Sequence, residues 1–240
     1  MKPETHKYIQ AFLVVALIAA GVRLAIIFHD RHESGQQARA KAAAPPLDPT
    51  YYVVPKKLYP YDLKSARQLT QQPAWVKEGY KYYYYPYDQA RHHADFAHDA
   101  GLLGPIEKLD IRNVVTDVTP GAPDQRQVLA VFEKSRKLYA VPIGVLKGGD
   151  YHIYSDEMFF IQDPHQLYKV WPKQVWQAID QHQVKPGMDE IQVSFALGMG
   201  VPQPSEDADV KTVNFPNGGK PMEITFRKGR AAEIRPGSAS

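Results

Sequence analysis

The sequence predicts an α+β protein in three parts. These are an N-terminal transmembrane helix, a central all-β domain built as a small barrel or sandwich, and a C-terminal module of order α-α-β-β-β. Three observations predict it. Ala11 to Phe28 (AFLVVALIAAGVRLAIIF) is apolar apart from Arg23. Between about Tyr51 and Pro164, runs rich in β-branched and aromatic residues alternate with turn signals. Beyond Pro164 the pattern becomes two helical segments followed by three short alternating ones.

The first part, residues 1–28, reads as a cytoplasmic tip and a signal anchor that enters the inner membrane through residues 9–28. A bilayer core takes about 20 helical residues, which this run supplies. Small-residue cleavage patterns (ARAKAAAP) lie well beyond the apolar run, whereas signal peptides are cut close to its end, so the segment reads as uncleaved. Lys2 and Lys7 precede the span and place the N-terminus in the cytoplasm, with the later domains in the periplasm. Arg23 lies close enough to Phe28 to snorkel to the interface. Residues 29–50 are polar, then Ala-rich, then broken by Pro45, Pro46 and Pro49, the composition of a tether.

Residues 51–164 form the β-rich part. The runs LDIRNVVTDVT, RQVLAVFEKS, KLYAVPIGVL and DYHIYSDEMFFI are separated at Pro120-Gly121, Ser135-Arg136-Lys137 and Gly148-Gly149-Asp150. Ahead of them, WVKEGYKYYYYPYD (Trp75 to Asp88) favours a strand, with Tyr80, Tyr82 and Tyr84 on one face and Tyr83, Tyr85 and Tyr87 on the other. Tyr82, Tyr83, Tyr84 and Tyr85 are the candidate interaction surface. A tyrosine row offers an apolar body with a polar tip, so the strand can stack on sugar rings or a partner; equally, one face can simply be core.

RHHADFAHDA (Arg91 to Ala100) concentrates imidazoles and carboxylates. In a helix, His92, Asp95 and Asp99 share a face, and His98 follows Asp95 by one turn. His92, Asp95, His98 and Asp99 are therefore the candidate metal or catalytic residues, although the HExxH spacing is absent and a solvated turn explains them more simply. No GxSxG, GxxxxGK[ST] or GxGxxG motif appears, so neither a catalytic residue nor a cofactor site is assigned. The chain has no cysteine, which removes disulfides, thiolate metal sites and a lipidated cysteine. A net charge of +3, dispersed along the chain, argues against nucleic acid as a partner.

The C-terminal part, residues 165–236 with a tail at 237–240, begins in DPHQLYKVWP, a junction too apolar to be a free linker. Pro172 suits the first position of a helix carrying Val175, Trp176 and Ile179 as its apolar stripe. A second, shorter helix is written in capping signals. Asp189 is the N-cap, Gln192 completes a capping box, Met188 and Val193 form a hydrophobic staple, and Gly198 suits a left-handed end. DVKTVNFP, MEITFRKG and RAAEIRP then supply three strands.

Gly187-Met188-Asp189, Gln192-Val193 and Ala196-Leu197-Gly198 resemble the GMT…QV…LG.P pattern of the SmpA/OmlA family, the small outer-membrane lipoproteins that include the BamE component of the β-barrel assembly machinery. The resemblance covers about Val170 to Pro236. It implies an α-α-β-β-β module in a non-enzymatic envelope adaptor. This chain departs from the family in lacking the acylated cysteine, in the longer spacing from Gly198 to Pro202, and in the β region that precedes the module. The expected function is a membrane-anchored periplasmic adaptor or scaffold binding envelope proteins or peptidoglycan. The alternatives are a cell-wall-directed enzyme or metal-binding protein using the His92 cluster, and a sugar-binding module using Tyr80–Tyr87.

Overall fold

A computed structural model describes residues 52–237 and, before them, Arg23 alone. The expected membrane span, the tether and residues 238–240 lie outside the described residues. Among the described residues no helix is long and apolar enough to cross a membrane.

Most of the expected β runs build one antiparallel sheet. β2 (Tyr83–Asp88), β6 (Ile111–Thr119), β7 (Ala122–Lys134) and β8 (Lys137–Lys147) are joined by β3 (His93–Ala94) in the order β3-β2-β8-β7-β6. β4 (Gly101–Leu102) pairs with β2, and β9 (Asp150–Ile153) pairs with β8. Among the described residues no ladder joins β3 to β6, so the path is open rather than a closed barrel. The run Val128–Phe132 is buried throughout because both faces of β7 are covered. Val128, Ala130 and Phe132 enter the central core, while Leu129 and Val131 join Ala94 and Ala140 in a small core on the opposite face.

Two expected strands are each divided. Trp75 to Asp88 is not one strand: β1 (Ala74–Val76) ends before a turn in which Tyr80 has φ 60°, and β2 starts only at Tyr83. DYHIYSDEMFFI likewise splits into β9, a helical turn at Ser155–Met158, and β10 (Phe159–Phe160). The separated pieces have their own purpose. With β5 (Lys108–Leu109) they form a small sheet in the order β10-β1-β5. Strand alternation sends Ala74, Val76, Leu109 and Phe159 into the central core, and Trp75 and Phe160 into the C-terminal core. This sheet is a wall shared by two cores.

The C-terminal part holds two eight-residue helices followed by strands, with short elements added to the expected order. The junction forms a short helix at Pro164–Leu167 and buries Tyr168 and Trp171, which stack at 4.5 Å between centroids, while Val170 stays 51 % exposed. The next helix is Lys173–Asp180. Pro172 serves as its N-cap rather than its first helical residue, because its ψ of 147° is extended. The helix Glu190–Leu197 carries the expected capping box: Gln192 N–H donates to Asp189 Oδ1 at 2.9 Å, and Asp189 N–H to Gln192 Oε1 at 3.0 Å. Met188 and Val193 are buried in the same core, as a staple requires. β12 (Val210–Phe215), β13 (Met222–Arg227) and β14 (Arg230–Pro236) follow as a meander, with the short β11 (Val201–Pro202) added at the edge. Met222, Ile224 and Phe226 alternate onto the core as expected.

Gly198 differs in kind from the expectation. Its φ of 81° is positive, but its ψ of −157° belongs to a region that essentially only glycine occupies, not to the left-handed helical one. It also sits against the central region: a Cβ there would lie 2.5 Å from the Gly79 carbonyl oxygen and 2.8 Å from the Tyr80 ring. Gly218 meets the same ring, at 2.7 Å. Tyr80 is thus a knob between two glycines of the C-terminal part, fastened by Met199 N–H donating to the Gly79 carbonyl at 2.9 Å. From Tyr52 onward the chain accordingly forms one compact unit, mixed α/β and mostly strand. The change of pattern near Pro164 separates two cores within it.

Candidate functional site

The tyrosine strand has two unequal faces. Tyr84 is in the central core, edge-on to Phe132 at 5.7 Å and to Tyr139 at 5.1 Å. Tyr82 is half-buried against the same core. Tyr85 and Tyr87 face the other way, where Tyr85 packs on Phe96 at 5.1 Å. Burial raises the pKa of both hydroxyls, helped by the charge of Asp99 at Tyr85 and of Asp117 at Tyr87. Of the four expected surface tyrosines only Tyr83 is well exposed, at 52 %. Tyr84 is corrected to core, because alternation turns it onto the face that Phe132 fills.

The His/Asp segment is not helical. His92 has φ 53°, β3 follows it, and the chain then turns at Asp95. His98 Nδ1 lies 3.0 Å from Asp95 Oδ2 in an exposed pair, which with the Ala97 N–H holds the Asp95 carboxyl below its ordinary value. The shared face expected for His92, Asp95 and Asp99 does not form. Among the described residues no group of three His, Asp or Glu side chains could hold a metal ion.

What the segment does instead is cover the second face of the large sheet. Its anchor is Asp117 of β6, a residue the sequence reading passed over. Asp117 is 5 % exposed; its Oδ2 accepts from the Ala94 N–H at 2.7 Å and its Oδ1 from the Val118 N–H at 2.7 Å. His93 Nδ1 lies 3.0 Å from the same carboxylate. The available signal was the one carboxylate within Ile111–Thr119, two residues beyond Val115 and so on the same face of the strand.

Between this covering segment and the β7–β8 hairpin turn lies a cavity of about 500 Å³. Tyr87, Val131 and Leu138 give it an apolar floor, and its rim is polar, with Gln89, His92 and Arg136 on it. Arg112 also lines it, bound to Asp110 at 2.9 Å and to Glu133 at 3.3 Å. Among the described residues, the side chains of Gln89, His92 and Arg136 have no hydrogen-bond or ion-pair partner. A second cleft of about 290 Å³ lies between Gly104–Glu107 and the helix Lys173–Asp180. There the polar groups are already engaged. His165 bridges Asp163 at 3.1 Å and Asp180 at 3.2 Å while stacked on Trp176, and the His182 imidazole donates from Nδ1 to the Ala196 carbonyl at 3.1 Å. The first cavity is the candidate site, because Gln89, His92 and Arg136 stay without a partner there among the described residues.

No family model, curated protein or solved structure matches this chain.

Proposed function

We propose that this protein is a non-enzymatic periplasmic adaptor, held in the inner membrane by residues 9–28 and spaced from it by residues 29–50. It binds envelope proteins or the cell wall. The cavity on the large sheet carries the proposal: its apolar floor and unengaged polar rim have the makeup of a recognition site. Two helices, the second closed by a capping box, ahead of a β meander support the resemblance of residues 165–236 to the SmpA/OmlA module, and with it an adaptor role. In this arrangement the C-terminal core is the brace and the central sheet presents the binding face.

The test is made in intact cells on the full-length chain. A C-terminal reporter is active outside the cytoplasm, and carbonate extraction leaves the protein in the membrane. A photo-crosslinking residue at Gln89 captures an envelope component, whereas the same residue at Lys220, in the connection between β12 and β13, captures none. A reporter active only in the cytoplasm, or equal capture from both positions, overturns the proposal.

A further inference from the structure

The turn at the rim of the cavity differs from the other two-residue hairpin turns of the chain. Tight two-residue turns connect β6 to β7 through Pro120-Gly121, β8 to β9 through Gly148-Gly149, and β13 to β14 through Lys228-Gly229, each with glycine second. The β7–β8 turn is Ser135-Arg136, closed by the Lys134–Lys137 pair, with φ 52° and 64°. Both residues of such a turn need positive φ, which is why Asn-Gly or Gly-Gly is usual; a Cβ at either place is strained. His92, on the opposite rim, also has positive φ. Positive φ also occurs at non-glycine residues away from the cavity, Lys228 among them, but only here does it bring two polar side chains, His92 and Arg136, to the lining of one cavity.

Charge narrows the ligand. Arg112 is matched by Asp110 and Glu133, whereas Arg136 has no ion-pair partner among the described residues. Guanidinium groups bind carboxylates through paired N–H donors. Gln89 and His92 line the same cavity and offer further donors and acceptors, the groups that hydroxyls and amides pair with, and the floor of Tyr87, Val131 and Leu138 suits the apolar face of a ring. A cavity of about 500 Å³ lies within the usual range for small ligands. We infer that this cavity binds a hexosamine that carries a carboxylate, with Arg136 on the carboxylate and the sugar ring over Tyr87. The inference deepens the cell-wall branch of the proposed function and rests on it.

Binding of N-acetylmuramic acid to the full-length protein in lipid nanodiscs tests it, with N-acetylglucosamine and D-lactate as the ring and the acid alone. N-acetylmuramic acid binds at least tenfold more tightly than either. Arg136→Gly removes both the guanidinium and the strain, so affinity falls at least tenfold while the melting midpoint rises by about 2–4 °C. A loss of binding in a more stable protein cannot be ascribed to unfolding. Arg136→Lys keeps part of the affinity. Equal affinity for N-acetylglucosamine, no binding of N-acetylmuramic acid at millimolar concentration, or unchanged affinity in Arg136→Gly overturns the inference. Crosslinked capture at Gln89 that persists in Arg136→Gly leaves the adaptor proposal standing and removes this one. Sugar binding by a chain whose reporter is cytoplasmic does the reverse.

Discussion

In the C-terminal part, local chemistry and global packing agree. Asp189 and Gln192 cap each other, Met188 and Val193 meet in the core, and the Lys228-Gly229 turn has its glycine where a hairpin needs one. The central sheet is different. Its longest hairpin closes through Ser135-Arg136 without glycine, and the adjoining cavity keeps unengaged polar groups. Where every level of the sequence agrees, the residues are spent on stability; where a local rule is broken without a packing reason, function is the better account. Yet the two regions are coupled by the β10-β1-β5 wall and by Tyr80, so the contrast is one of purpose within a single folding unit.

The largest expected effect comes from separating them. Residues 170–236 alone lack Trp75 and Phe160, whose burial contributes about 4–6 kcal/mol together, and lack the Tyr80 knob. The excised segment therefore melts far below the 51–240 chain, and equal melting midpoints would break the claim of a shared wall. Next comes Gly198→Ala, at about 2–4 kcal/mol, since it adds a backbone clash to a conformation reserved for glycine. Gly187→Ala is the matched control: its φ is 88° but nothing lies within 4 Å of the added Cβ, so only strain remains, about 1 kcal/mol. Urea midpoints that fall equally for both would show that Tyr80 does not press on Gly198.

Changes in the helix Glu190–Leu197 sharpen the contrast. Val193→Ala costs about 2–3 kcal/mol through lost buried methyl groups, and Asp189→Ala about 0.5–2 through the lost cap; Ser194→Ala, by denaturant titration, changes little. A modest, pH-dependent change concerns Lys134. Its ammonium lies 2.6 Å from Glu107 and 5.0 Å from the centroid of the Tyr84 ring. Burial pulls its pKa down, but the bond to and charge of Glu107 outweigh this and leave it raised. A lysine raised on folding stabilises fully below its ordinary value of 10.5 and loses that contribution as pH rises through the folded value. Lys134→Met thus costs about 0.5–1 kcal/mol at neutral pH, a partly exposed pair being weakened by solvent. The wild-type and variant midpoints converge only in strong alkali. A difference that persists there would assign the effect to packing.

The elements that were legible in the sequence are those whose causes are local. The capping box, the meander and the strand runs follow from spacing and propensity within a few residues. The split of Trp75–Asp88 was not legible, because the break at Gly79-Tyr80 is set by distant Gly198 and Gly218. Helical spacing misplaced the His92 cluster, since the force that decides it is Asp117 pulling Ala94 onto the sheet. The cavity was half visible. Its floor and overhang come from the two segments that the sequence singles out, Tyr80–Tyr87 and Arg91–Ala100. Arg136 reads as mere turn punctuation until the sign of its φ is known.

The shared wall has a consequence for how the chain is made. Trp75, and later Phe160, emerge from the ribosome before the helix Glu190–Leu197 that covers them. Once the central strands have paired, the newly formed wall shows an aromatic face with nothing yet to bury it. Such faces invite association with other chains or capture by chaperones during synthesis. Slowing the last stretch of translation should therefore increase aggregation, and replacing Trp75 and Phe160 by smaller residues should trade final stability for a cleaner passage to the folded state.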